Sequence, residues 1–235
     1  MKFFKDTFKS LTKKDIALWI CSIIAITVSF FAMKNDNWLT LCASLIGATS
    51  LIFLAKGNVL GQFLMVAFAV LYGVISFTYK YYGEMITYVG MTLPIAVLSI
   101  VTWLKNPYNG KTEVKINTIA LKEYCFAAAL TCAVTVAFYF ILRYFNTANL
   151  ILSTVSVFTS FSASYFELRR SELYAVCFVF NDGVLIALWV LATIEQINYL
   201  SMVVCFSIFL INDLYGFACW TAAKKKQRLS PPPEL

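Results

Sequence analysis

Histidine is missing altogether from this 235-residue chain, and charge is scarce: 13% of the residues are Asp, Glu, Lys or Arg, against 60% that are hydrophobic. A soluble domain carries about 25% charge. The lack of histidine removes the commonest metal ligand and the one side chain that ordinarily titrates near neutral pH. The seven cysteines form no CxxC pair, are odd in number and all fall in apolar stretches. They read as small core residues, not as a disulfide framework or metal site. No phosphate-binding glycine loop and no nucleophile–base–acid set is present, so an enzyme is disfavoured and no catalytic residue, metal or cofactor is assigned.

What the chain does have is eight apolar stretches, at about 16–33, 38–55, 59–79, 84–104, 123–143, 149–166, 173–193 and 198–220. Each is about long enough to cross a bilayer's hydrocarbon core as a helix. The Lys and Arg lie between them, on a lopsided map. With a cytosolic N-terminus, sixteen of the nineteen fall on the cytosolic side, leaving Lys34, Lys80 and Arg143 on the other. That is the bias of a polytopic inner-membrane or plasma-membrane protein with both termini in the cytosol. The net charge of +7 is therefore explained by topology and anionic lipid headgroups, without nucleic acid. The first stretch is too long for a cleaved leader and reads as a retained helix.

The fold class expected is all-α and integral to the membrane, and the chain divides accordingly. Residues 1–15 are basic, with Phe3, Phe4, Phe8 and Leu11 at helical spacing, and suggest an amphipathic helix on the cytosolic surface. Residues 16–33 form an extra first span. Residues 38–104 and 149–220 each hold three spans, and 123–143 is a single span between them. The tail 221–235 is Lys/Arg-rich, then proline-rich, and reads as disordered. A shift of 110 residues lays Ala43–Ser50 over Ser153–Ser160, and Gly73-Val74-Ile75 over Gly183-Val184-Leu185. This register pairs the two three-span segments as parallel repeats joined by a linker helix, a 1+3+1+3 arrangement. Transporters built from repeats bind their cargo between them, near mid-membrane.

Ionisable groups inside a span are expensive and point to function. Asp182 and Asp213 lie well inside the seventh and eighth spans, each after an asparagine, as Asn181-Asp182 and Asn212-Asp213. Their alternative role is an inter-helix hydrogen bond. Gln62, near the start of the third span, is a third polar candidate, with a helix end in contact with water as its alternative. Tyr72 and Phe180 are the deeper aromatics, Trp189 is intermediate, and Trp103 and Trp220 sit where an interfacial belt is expected. Glu84 and Glu195 read as solvated charges at the outer edge. Pro94 should kink the fourth span. The spans hold no Lys or Arg to clamp phosphate. Asp, Asn, Gln and aromatic rings suit a neutral or cationic cargo with hydroxyls or amides and a flat face.

At these residues the chain resembles the Pnu-type nicotinamide riboside transporters. The segments are Leu71–Tyr88 (LYGVISFTYKYYGEMITY), Gly90–Tyr108 (GMTLPIAVLSIVTWLKNPY), Asn181–Trp189 (NDGVLIALW) and Phe206–Trp220 (FSIFLINDLYGFACW), within a similarity over about residues 38–222. Many members carry several tryptophans in the seventh span, where this chain has Phe178, Phe180 and only Trp189. The resemblance implies a three-plus-one-plus-three fold like that of the SWEET sugar transporters, behind an extra first helix. It also implies a homotrimer in a bacterial inner membrane, and facilitated diffusion of nicotinamide riboside, trapped inside by phosphorylation. Asn212, Asn181, Asp182, Asp213, Gln62, Tyr72, Phe180, Trp189 and Tyr215 are the expected substrate-binding residues. Rival readings are another vitamin-like or nucleoside cargo on the same fold, and proton-coupled transport through Asp182 and Asp213.

Overall fold

The computed structural model describes residues 10–33, 37–78, 82–108 and 112–229, and among them the long elements are eight helices. They are α1 Lys13–Ala32, α2 Trp38–Ala55, α3 Val59–Thr78, α4 Tyr82–Leu104, α5 Leu121–Tyr144, α6 Leu150–Leu168, α7 Leu173–Glu195 and α8 Leu200–Leu229, with a 3-10 turn at Ile197–Tyr199. Successive helices alternate in direction, so the described Lys and Arg gather at one end of the bundle, here called the basic end. Arg143 is at the other. Seven of the eight are long and apolar enough to cross a membrane. The exception is α6, which carries Ser153, Thr154, Ser156, Thr159, Ser160, Ser162 and Ser164. Its polarity has a use, since one face of it lines the central cavity.

Local chemistry explains the helix ends. Thr12 and Asp15 form a reciprocal capping box, so α1 starts at Lys13 and not near residue 16. Residues 13–15 are thus its first turn and residues 10–12 are not helical; the rest of the expected surface helix, residues 1–9, lies outside the described residues. Gly57, at φ +62°, turns α2 into α3. At the other terminus α8 continues nine residues beyond Trp220, which corrects the expected disordered tail as far as Leu229. The Ala, Lys, Gln and Arg there are strong helix formers, and cations suit a helix C-terminus. Residues 230–235 lie outside the described residues.

Helix α4, where a kink was expected at Pro94, changes its hydrogen bonding just before the proline. One turn, Tyr88–Thr92, is π-helical, and the Leu93 N–H reaches back to the Tyr88 carbonyl. This widened turn directly precedes the proline, which has no N–H to give. Such turns inside α-helices recur at functional sites.

The helices pack as two groups. In one, α3 packs on α2 and α4; in the other, α7 packs on α6 and α8. The groups meet where α2 lies against α8 and where α4 lies against α6. Helix α1 lies against α2 and α8, and α5 against α6. Polar pins hold α1 in place: Trp19 Nε1 donates to Thr49 Oγ1 at 3.1 Å, and Asp15 accepts from the Tyr215 hydroxyl and pairs with Lys56 at 3.2 Å. At the basic end, residues 112–120 run across the bundle as a strap. The Val114 N–H donates to the Gly57 carbonyl at 2.9 Å, and the Asn117 N–H to the Arg170 carbonyl at 2.9 Å. Gln227 grips the strap twice, accepting from the Ile116 N–H at 2.9 Å and donating to the Val114 carbonyl at 3.1 Å.

Candidate functional site

Between the two groups runs a line of cavities. At the end opposite the basic one is a vestibule of about 270 Å³, walled by Glu84, Asn149, Ser153, Trp189 and Glu195 among others. A neck of about 20 Å³, bounded by Glu84, Tyr88, Ser156 and Leu185, leads inward. Beyond it lies a central cavity of about 40 Å³. A second cavity of about 270 Å³ opens at the basic end, under the strap, beside Lys56, Glu113, Trp220 and Gln227. Sites for small molecules occupy on the order of 300 Å³ or more. The central cavity must therefore widen to take a cargo, and the structure is closed around it.

Helical periodicity places the side chains of the central cavity. On α7, Phe178, Asn181, Asp182 and Leu185 fall on one face at i, i+3, i+4 and i+7. The same face continues to Trp189, in the vestibule. On α8 the lining residues are Phe206, Phe209 and Asp213; on α6 they are Ser160, Ser164 and Glu167. Helix α4 presents Tyr88 and Thr92, the two ends of its π turn, with Glu84 above them in the neck. Helix α3 adds Met65 and Phe68, and the rings of Phe68, Tyr88, Phe206 and Phe209 form one connected aromatic wall, with centroids 5.6 to 5.9 Å apart in the Phe68–Tyr88, Phe68–Phe209 and Phe206–Phe209 pairs.

The polar groups are held in pairs. Asn181 Oδ1 accepts from Thr159 Oγ1 at 3.0 Å, which leaves its amide nitrogen to aim elsewhere. The carboxyls of Asp182 and Asp213 face one another, and Glu167 lies within electrostatic reach of Asp213. In the neck the Tyr72 hydroxyl donates to Glu84 Oε2 at 2.8 Å. This corrects the reading of Glu84 as a solvated edge charge, because a buried tyrosine holds it against the path. Between Glu167 of the cavity lining and the basic-end cavity that Trp220 borders lie the rings of Trp103, Trp220 and Tyr174. The Trp220 ring lies 5.6 Å from that of Trp103, tilted against it, and 4.9 Å from that of Tyr174, edge to face. Both indoles spend their N–H on main-chain carbonyls, Trp103 on Glu167 at 3.1 Å and Trp220 on Leu54 at 2.8 Å. At 2% and 1% exposure they form a plug, not the interfacial belt that their position near the span ends suggested.

Of the nine residues singled out from the sequence, Asn181, Asp182 and Asp213 line the central cavity, and Trp189 lines the vestibule. Tyr72 stands behind Tyr88, with ring centroids 4.4 Å apart, and bonds Glu84. Gln62 is fully buried and faces Glu167 without a hydrogen bond of ordinary geometry, so it is no water-facing helix end. Asn212 and Tyr215 turn toward α1, where Asn212 Nδ2 donates to Ser22 Oγ at 3.1 Å and Tyr215 bonds Asp15. Phe180 is 65% exposed on the outside of the bundle, and Phe178 takes the cavity position. Two residues along a helix is about 200° of rotation, enough to exchange lipid for cavity. The sequence reading missed Glu167, Tyr88, Phe206 and Phe209. The spacing of Ser160, Ser164 and Glu167, a polar stripe at i, i+4 and i+7, was the signal for the first of these.

A many-helix bundle with a narrow, largely apolar cavity that holds buried carboxyls between two groups of helices has the form of a membrane transporter. Residues 37–222 match the family described as nicotinamide mononucleotide transporters, and the chain belongs to that family. The family is one of transporters, not enzymes. The chain is 26% identical over 216 residues to a nicotinamide riboside transporter, PnuC, of Neisseria mucosa, covering 89% of this chain and 82% of the relative. It is 21% identical over 224 residues to the PnuC nicotinamide riboside transporter of Haemophilus influenzae, covering 94% and 96%. The fold matches the crystal structure of the vitamin B3 transporter PnuC with a TM-score of 0.83 at 22% identity, over 96% of this chain and 98% of that one.

Proposed function

We propose that this chain carries nicotinamide riboside across a bacterial inner membrane, and that the mononucleotide is not its cargo. The family description and the relatives' names differ by one phosphate, and the observation that favours the riboside is the lining of the central cavity. It holds three carboxyls, an asparagine, two serine hydroxyls and an aromatic wall and, among the described residues, no Lys or Arg. A pyridinium ring suits the aromatic wall. A carboxamide and ribose hydroxyls suit Asn181, Ser160 and Ser164. A phosphate dianion would meet carboxyls alone, with no cation to replace its water.

The helices α2–α4 and α6–α8 serve as two parallel three-helix units, with α5 as linker and α1 as an addition. The reciprocal packing of α2 on α8 and α4 on α6 supports this, since an axis along the membrane normal exchanges those two contacts. The positive-inside bias supports a cytosolic basic end with both termini there. The vestibule is then the outer entrance and the tryptophan plug the inner closure. Transport runs downhill, with phosphorylation in the cytosol trapping the cargo. The homotrimer and the SWEET-like arrangement rest on the family resemblance.

The test is calorimetric titration of detergent-purified protein with nicotinamide riboside, its mononucleotide and nicotinamide. Micromolar binding of the riboside with at least about 100-fold weaker binding of the mononucleotide, roughly 2.7 kcal/mol, is expected. Comparable affinities refute the reading. A second reading, proton-coupled transport, draws on the facing Asp182 and Asp213 carboxyls. It requires uptake into liposomes to respond to an imposed pH gradient, whereas a uniporter is indifferent to one.

A further inference from the structure

Three helices each send one carboxyl into the central cavity: Glu167 from α6, Asp182 from α7 and Asp213 from α8. All three are at most 4% exposed. Among the described residues none of them has a Lys or Arg partner, for the ion pairs found there join Asp15, Glu123 and Glu172. Beyond the contact that the Asp182 and Asp213 carboxyls make with each other, Glu167 Oε1 and Asp182 Oδ2 are buried without a hydrogen-bond partner. Burying a carboxylate without a counter-charge is unfavourable, and burying several together is more so. The cavity is therefore short of positive charge.

We propose that Glu167 is a specificity-determining residue which, with Asp182 and Asp213, makes the positive charge of the cargo a requirement for binding, beyond its flat shape. This rests on the reading of the cargo as a pyridinium riboside. Glu167 is tied to the tryptophan plug through its main chain, whose carbonyl receives the Trp103 N–H. Phe178, Phe209 and Tyr88 line the same cavity as the carboxyls, and a cation whose charge is spread over a ring is attracted by both aromatic rings and carboxylates. The cargo supplies the missing counter-charge, and the carboxyls supply an attraction that a neutral ring of the same outline does not feel.

The probe is the reduced cargo, the 1,4-dihydropyridine riboside, which keeps the carboxamide and the ribose and has no charge. Full-length protein in detergent is titrated with both forms. The wild type is expected to bind the cation at least about tenfold more tightly, a difference of about 1.4 kcal/mol. Equal binding of the two overturns the inference while leaving the transport reading intact. Failure of the wild type to bind either removes that reading, and the inference with it. In Glu167→Gln, a near-isosteric change, the cation loses its preference while the reduced form binds as before. A preference undiminished in Glu167→Gln belongs to ring shape or to the aspartates and overturns the role of Glu167. Should that variant not fold, Glu167→Asp takes its place: drawing the carboxyl back by one methylene lowers cation affinity severalfold and leaves the reduced form alone, and unchanged cation affinity counts against the inference.

Discussion

Trp103 donates its indole N–H to the main-chain carbonyl of Glu167 at 3.1 Å, so the residue whose carboxyl lines the cavity also anchors the ring that seals it. The cavity lining and the packing of Trp103 thus share one turn of α6. Trp103→Phe keeps an aromatic ring in the plug and loses the bond. It is expected to cost about 0.5–1.5 kcal/mol of stability. Trp103→Ala removes the packing too and should cost about 3–5 kcal/mol. Thermal unfolding of both variants checks the order, and a Phe variant as damaged as the Ala variant would show that the bond, not the ring, holds the plug.

The two asparagines of the Asn-Asp pairs separate into different jobs. Asn181→Ala should weaken riboside binding by about 1–3 kcal/mol, the cost of leaving polar partners unsatisfied in a buried site. Asn212→Ala breaks the bond to Ser22 that holds α1 against α8. Its melting temperature should fall while affinity stays as in the wild type. Titration and melting on the same preparations decide it, and a loss of affinity in Asn212→Ala would return that residue to the binding site.

In the neck, Tyr72 holds Glu84 across the path from vestibule to cavity. Tyr72→Phe removes about 1 kcal/mol of that hold, roughly a fivefold shift toward the open neck. A cysteine placed at Ser156, which borders the neck, should then react faster with a membrane-impermeant thiol reagent added from the vestibule side. Seven native cysteines are a background to be subtracted with the parent protein. An unchanged rate would mean that the neck opens without parting Tyr72 from Glu84.

The strap over the basic end depends on Gln227, whose amide satisfies one donor and one acceptor in residues 114–116. Gln227→Ala is expected to raise amide hydrogen exchange across residues 112–120 and leave exchange in α7 as before. Protection that survives the change would assign the strap's order to its bonds with Gly57 and Arg170 alone.

Impermeant labelling also reports sidedness. A tag at Asn37, before α2, and one at Leu229, at the end of α8, should be reached from opposite faces of the membrane. Reaction of both from the same face would break the eight-span topology.

Hydropathy and charge determined a good part of this protein before any packing was known. Apolar runs of membrane-spanning length and basic residues confined to the connections are local properties, and the bilayer acts on them segment by segment. The helices therefore fall close to where the sequence places them. The segments around Glu84, Asn181 and Asn212 were enough to place the chain among its relatives. Boundaries shifted where capping or helix propensity decided them, as at Thr12 and beyond Trp220. What the sequence could not settle is the direction in which each side chain looks, because that depends on which neighbour lies against each face. Phe178 and Phe180 are equally apolar, and only the position of α7 in the bundle puts one in the cavity and the other in lipid. Asn212 and Asp213 are adjacent on α8, yet the docking of α1 claims the first and the cavity the second. The same placement brings Glu167, an acid near a helix end, into the cavity that Asp182 and Asp213 line. Carboxyls that meet across three helices are separated by tens of residues in the chain, and tertiary packing alone brings them together.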